Sequence, residues 1–120
     1  MKILVVDDSK AMRMIVRRSL LKSAAYAGAT VIEAENGQQA LKQVEAEAPD
    51  VILSDWNMPK MDGIELLEAL AAKGPHVPFG FMTSESTPEM YARATAAGAT
   101  FLVSKPFTPE SLAAALDGAL

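Results

Sequence analysis

The chain has 120 residues, half of them hydrophobic, a net charge of −4 and no cysteine. That length and apolar content suit one domain, residues 1–120, with a real core; they exclude a disordered chain, a disulfide scaffold and a thiolate metal site. The acid excess argues against nucleic acid as a partner, and a lone histidine, His76, excludes a His-rich zinc cluster.

The amino terminus reads MKILVVDD, an apolar run too short for a signal peptide and cut off by two acids. No stretch reaches the length of a membrane span, so a cytoplasmic protein is expected, with no membrane contact. The first strand is Ile3–Val6, ending in Asp7-Asp8. Ser9 can cap a helix from Lys10 to about Ala25, with Met12, Ile15, Val16 and Leu20 facing inward. Thr30–Glu33 is the second strand; Asn36 caps a helix from Gln38 to about Glu47, which Pro49 stops. The third strand, Val51–Ser54, runs into the loop DWNMPKMDG, and a helix from about Gly63 to Lys73 ends at Gly74-Pro75. The fourth strand is Phe79–Met82, and Thr87-Pro88 opens a helix that stops at Gly98. Phe101–Ser104 is the fifth strand, and Thr108-Pro109-Glu110 opens the last helix.

Strand then helix, five times over, predicts an α/β fold with a doubly wound parallel sheet. Continuous apolar strands are those covered on both faces. With right-handed crossovers the economical order is 2-1-3-4-5, a flavodoxin-like arrangement that binds ligands beyond the carboxyl ends of its strands.

Those ends carry the chemistry. Asp7-Asp8 follow the first strand, Asp55 the third, Thr83-Ser84 the fourth and Lys105-Pro106 the fifth. In the predicted order these strands are consecutive, so three carboxylates, a hydroxyl and an ammonium share one crevice. Three carboxylates repel one another unless a cation joins them. All-oxygen ligands suit magnesium, which takes one or two carboxylates and keeps its waters. Asp55 is then able to attack phosphorus and form an aspartyl phosphate. Lys105 and the Thr83 hydroxyl can take up charge on the phosphoryl oxygens. The loop turns the chain away from Asp55: Asn57 can offer its backbone carbonyl to the metal, Pro59 stiffens the bend, and Asp62-Gly63 starts the next helix. Trp56, the only tryptophan, stands next to the nucleophile as a fluorescence reporter.

Asp7-Asp8, Asp55-Trp56-Asn57-Met58-Pro59, Met61-Asp62-Gly63, Thr83-Ser84, Gly98-Ala99 and Lys105-Pro106-Phe107 together resemble the receiver domains of two-component response regulators. Among these the chain is most similar to the stand-alone chemotaxis regulators of the CheY type. The 2-1-3-4-5 order is itself known from this family, so the fold expectation and the resemblance are not independent. The resemblance implies a histidine kinase as phosphodonor, Asp55 as acceptor, magnesium on Asp8 directly and on Asp7 partly through water, and a cis Lys105-Pro106 peptide. It implies that Asn57 and Glu85 flank the path of a hydrolytic water. It also implies a switch built on Thr83, Pro106 and the face that carries Tyr91, with a protein target such as a flagellar motor switch protein. In one respect the chain departs: the family's usual aromatic, three residues before the lysine, is Leu102, while Phe101 points to the other sheet face. A monomer is expected.

Each feature has a plainer reading by itself. Asp7-Asp8 can be helix caps, Asp55 and Thr83 turn residues, Lys105 a solvated charge, and His76 an exposed loop residue. Arg13, Arg17, Arg18 and Lys22 read as a solvated or kinase-docking side of the first helix. Of Met90 and Tyr91, one is expected in the core and the other on the surface. Joint placement at consecutive strand ends is what argues for chemistry. The other uses of such a site are a phosphorelay intermediate serving a histidine phosphotransfer protein and a magnesium-dependent phosphohydrolase. The hydrolase normally carries a second acid where this chain has Asn57, and it needs a substrate cap.

Overall fold

Strand and helix alternate along the chain: β1 (Lys2–Val6), α1 (Lys10–Lys22), β2 (Thr30–Ala34), α2 (Gly37–Glu47), β3 (Val51–Asp55), α3 (Gly63–Lys73), β4 (Phe79–Thr83), α4 (Pro88–Ala97), β5 (Phe101–Ser104) and α5 (Pro109–Ala119). The computed structural model describes residues 1–58, 61–73, 77–85 and 87–120. The expected roles of Pro59, of Gly74-Pro75 and of His76 lie outside the described residues.

All strand pairs are parallel, in the order β2-β1-β3-β4-β5. Side-chain alternation sorts the strands into two cores. Ile3, Val5, Leu53, Met82 and Val103 meet Val16 and Leu20 of α1 and Leu112 and Leu116 of α5. Leu4, Val6, Ile52, Phe79 and Phe81 meet Ala40 of α2, Ile64, Leu66 and Leu67 of α3 and Ala94 of α4. Both faces of the central strands are therefore dry, which explains their lack of polar alternation.

Helix starts follow the capping residues. Ser9, Asn36, Thr87 and Thr108 each accept the N–H three residues on, from Met12, Gln39, Met90 and Ser111. Asp62 Oδ1 accepts the Glu65 N–H at 2.8 Å while Glu65 Oε1 accepts the Asp62 N–H at 3.1 Å, a reciprocal pair that opens α3. Gly98 ends α4 in the left-handed region at φ 108°, where L side chains are strained.

Two readings of α1 need correction. The helix stops at Lys22 rather than near Ala25, because Ser23 is extended and its N–H returns to the Leu20 carbonyl. The chain then turns so that Tyr26 enters the α1–α5 core and its hydroxyl donates to Asp117 at 2.6 Å. Ile15 is exposed, since the buried stripe runs through Val16, Ser19 and Leu20, one position round the helix.

Burial and the Asp117 carboxylate push the Tyr26 phenol up to about 12. The folded state thus keeps a proton that the unfolded chain loses near pH 10. Stability is fully present below pH 10 and falls by on the order of 1–3 kcal/mol as pH rises through 12. Tyr26→Phe is expected to cost roughly 1.5–3 kcal/mol at pH 7 and to flatten that alkaline slope. Urea unfolding at pH 7, 10 and 12 reads both; an unaltered slope in the variant would assign it to other groups.

Candidate functional site

Parallel strands of similar length leave their carboxyl ends on one rim, and the residues just past β1, β3, β4 and β5 meet there. Asp7, Asp8 and Asp55 each bring one carboxylate oxygen to within 4.8 Å of the others. Lys105 Nζ lies 3.3 Å from Asp55 Oδ1 and 3.7 Å from Asp7 Oδ2. Its backbone N–H donates to the Thr83 carbonyl at 2.8 Å, tying the end of β5 to the end of β4. The Lys105-Pro106 peptide is cis, as the resemblance implies.

Burial differs sharply among the acids. Asp7 is buried, Asp55 half-buried and Asp8 exposed. Asp7 Oδ1 accepts the Ser9 N–H at 2.8 Å, while Oδ2 is buried without a hydrogen-bond partner. A buried carboxylate oxygen left without a hydrogen bond, on a residue clustered with two further acids, has the chemistry of a ligand for a hard divalent cation. On that ground the cluster fits magnesium through Asp7, Asp8 and Asp55.

Burial pushes the Asp7 carboxyl above its usual range; the Ser9 N–H opposes this, the Asp55 charge adds to it, and Lys105 opposes it more weakly. In the metal-free protein the folded state therefore binds a proton more readily than the unfolded chain. Stability falls as pH rises from the ordinary value of 3.8 through the raised one, and the penalty is fully present above it. Asp7→Asn keeps an oxygen for the Ser9 N–H and removes that charge. It is expected to raise the metal-free melting temperature at pH 7 by about a few degrees and to weaken Mg²⁺ binding at least about tenfold. A melting temperature that is unchanged or lower at pH 7 counts against a destabilising carboxylate.

Thr83 is buried, and its hydroxyl is closed into a ring with Glu85: Oγ1 accepts the Glu85 N–H and donates to the Glu85 carbonyl, both at 3.1 Å. To contact a phosphoryl oxygen it must leave the carbonyl. Asn57 and Glu85 are exposed on either side of the rim, and Pro106 is exposed beyond Lys105. Trp56 is buried against Phe81, ring centroids 4.6 Å apart, so it lies under the site rather than in it. The loop after Asp55 closes where the Gly63 N–H donates to the Trp56 carbonyl at 2.9 Å.

On the far side of β4, Leu102 packs with the Trp56 and Phe81 core and Phe101 with the α1–α5 core, as alternation requires. The Phe101 ring occupies the space above Gly80, its register partner on β4. Tyr91 is exposed on α4, and Met90 packs inward. Of the five basic residues of α1, Arg13 is not a solvated charge and Arg17 is only partly one: both pair with Glu33, and Arg13 also donates to the Asp7 carbonyl. Nothing local in the sequence signals this, since Glu33 lies on the neighbouring strand. An apolar cavity of about 410 Å³ sits at the opposite rim, where Pro49 and Val77 precede their strands; among the described residues its one carboxylate, Glu45, is paired with Lys73. It offers no acid cluster.

Residues 3–117 match the family of response regulator receiver domains. The chain is 36% identical to the chemotaxis protein CheY1 of Helicobacter pylori strain J99, over 98% of this chain and 94% of that protein. It is 38% identical to the chemotaxis protein CheY of Pseudomonas aeruginosa, over 93% and 90%. The solved structure of the chemotaxis response regulator CheY4 of Vibrio cholerae superposes with a TM-score of 0.89 at 37% identity, over 99% of this chain and 98% of that one.

Proposed function

Because the chain belongs to the response regulator receiver domain family, we propose that it is a single-domain regulator of chemotaxis signalling that a histidine kinase phosphorylates on Asp55. The observation that carries this is the placement of the Lys105 ammonium 3.3 Å from Asp55, beside two further acids on the same rim.

One Asp55 oxygen attacks the phosphorus of a phosphohistidine; the P–O bond forms as the P–N bond breaks, and the imidazole leaves with the electron pair and takes up a proton. Asp7, Asp8, Asp55 and the Asn57 carbonyl would hold magnesium, which when bound would neutralise charge on the phosphoryl oxygens. Lys105 pairs with another of those oxygens. Thr83 donates to the third after its hydroxyl leaves the Glu85 carbonyl, and that exchange pulls the end of β4 toward the site. Because the Lys105 N–H is bonded to the Thr83 carbonyl, the movement reaches β5 and the face formed with α4 and α5. Tyr91 is exposed there. That face presents the signal to a protein target, of which a flagellar motor switch protein is the chemotaxis example. Leu102 stands where a swinging aromatic ring is usual, so Thr83 carries the switch here. Asn57 and Glu85 border the approach of the water that later hydrolyses the acyl phosphate. The chain turns over no external substrate; it acts as a monomer in the cytoplasm.

The test is incubation with Mg²⁺ and a small acyl phosphate. One phosphoryl group per chain is expected, lost in base, with none added in a chelator. Labelling that ignores the chelator would remove the magnesium site from the proposal.

A further inference from the structure

Arg13 is nearly buried, and its guanidinium joins two elements. Nη1 donates to the Asp7 carbonyl oxygen at 2.6 Å, and Nε donates to Glu33 Oε1 at 2.9 Å. Glu33 is held in turn by Arg17, Nη2 to Oε2 at 3.2 Å, and the same nitrogen donates to the Val31 carbonyl. From the other side, the Asp7 N–H donates to the carbonyl of Ala34, the residue after Glu33, at 3.1 Å. Both main-chain groups of Asp7 are thus tied to β2, one directly and one through Arg13. The carbonyl that Arg13 holds belongs to the peptide joining Asp7 to Asp8. Fixing that oxygen fixes the peptide plane, and with it the direction in which Asp8 leaves the strand. Asp8 is exposed, so packing adds little to the direction its backbone gives it.

We propose that Arg13, braced by Glu33, is a positioning residue for the acid cluster: it orients the Asp7-Asp8 peptide so that both carboxylates and Asp55 can share one divalent cation. The proposal rests on the metal-binding reading of the rim. Electrostatics and positioning make opposite predictions here. A positive charge beside the cluster repels a second cation, so removing it would tighten Mg²⁺ if charge were all that mattered. Loss of a group that orients a ligand loosens the metal, by about 10–100-fold where such partners have been removed.

Mg²⁺ affinity is therefore measured by calorimetry on the whole chain, for wild type, Arg13→Met, Arg13→Lys and Arg18→Met, at a temperature where circular dichroism shows each folded. Arg13→Met is expected to bind at least about tenfold more weakly. Arg13→Lys has an ammonium that reaches one of the two partners, and weakens binding by less. Arg18→Met makes the same charge change on the exposed part of α1 and should bind as wild type does, or more tightly. Arg13→Met binding as tightly as wild type, or more tightly, overturns the proposal; should that variant not fold, unchanged affinity in Arg13→Lys overturns it. A wild type that binds no Mg²⁺ overturns the metal site and this proposal together.

Discussion

Asp55→Asn is expected to abolish phosphoryl labelling, by more than about 10³-fold, while leaving the chain folded. The amide is nearly the same size as the carboxylate, and position 55 is half-buried at the end of β3, so packing should not change. What changes is chemistry. An amide oxygen is a weak nucleophile and carries no charge for the Lys105 ammonium at 3.3 Å. It also relieves repulsion among three acids whose oxygens lie within 4.8 Å of one another, so the variant should melt at or above the wild-type temperature without metal. Intact-mass spectrometry after treatment with an acyl phosphate, paired with a thermal melt, reads both. A variant labelled as fully as wild type places the acceptor elsewhere; one that is unlabelled and unfolded says nothing of chemistry, and the melt separates the two.

Gly63→Ala should produce the largest loss of stability among single-methyl additions near the site. A Cβ at Gly63 would lie 2.6 Å from the Asp55 carbonyl oxygen and 2.5 Å from the Phe81 ring. The first neighbour is backbone at the end of a central strand, and the second is a fully buried ring held by Trp56 and Phe79, so neither gives way easily. Overpacking of this kind costs typically about 1–3 kcal/mol. Because the blocked atom belongs to Asp55, Mg²⁺ affinity should fall as well. Gly118→Ala is the control: nothing lies within 4 Å of its Cβ position, and it sits in α5. Alanine there should raise stability by up to about 1 kcal/mol. Urea unfolding of both variants decides the matter, and equal midpoints would mean that the start of α3 can shift away from β3 at little cost.

The contrast between these glycines shows where reading along the chain stops. Asp62-Gly63 is legible as a turn into a helix, because aspartate caps and glycine bends by local rules, and the reciprocal Asp62–Glu65 bonds follow from spacing alone. That Gly63 must also be small because α3 starts against Asp55 and Phe81 requires the positions of two other strands. The same holds at Gly80, whose missing side chain is replaced by the Phe101 ring from β5.

By itself the sequence determined the alternation of elements, the caps at Ser9, Asn36, Thr87 and Thr108, the buried nature of the central strands, and the gathering of Asp7, Asp8, Asp55 and Lys105. These depend on periodicity, on neighbours within a turn, and on one topological rule that brings strand ends to one rim. Only the tertiary structure decided that α1 ends at Lys22 so that Tyr26 can reach Asp117, and that Ile15 faces out. It alone turned Arg13 from a basic surface residue into the holder of the Asp7 carbonyl. Those outcomes are contests between groups far apart in the chain or between competing hydrogen-bond partners, and they are settled by distances that no local pattern encodes.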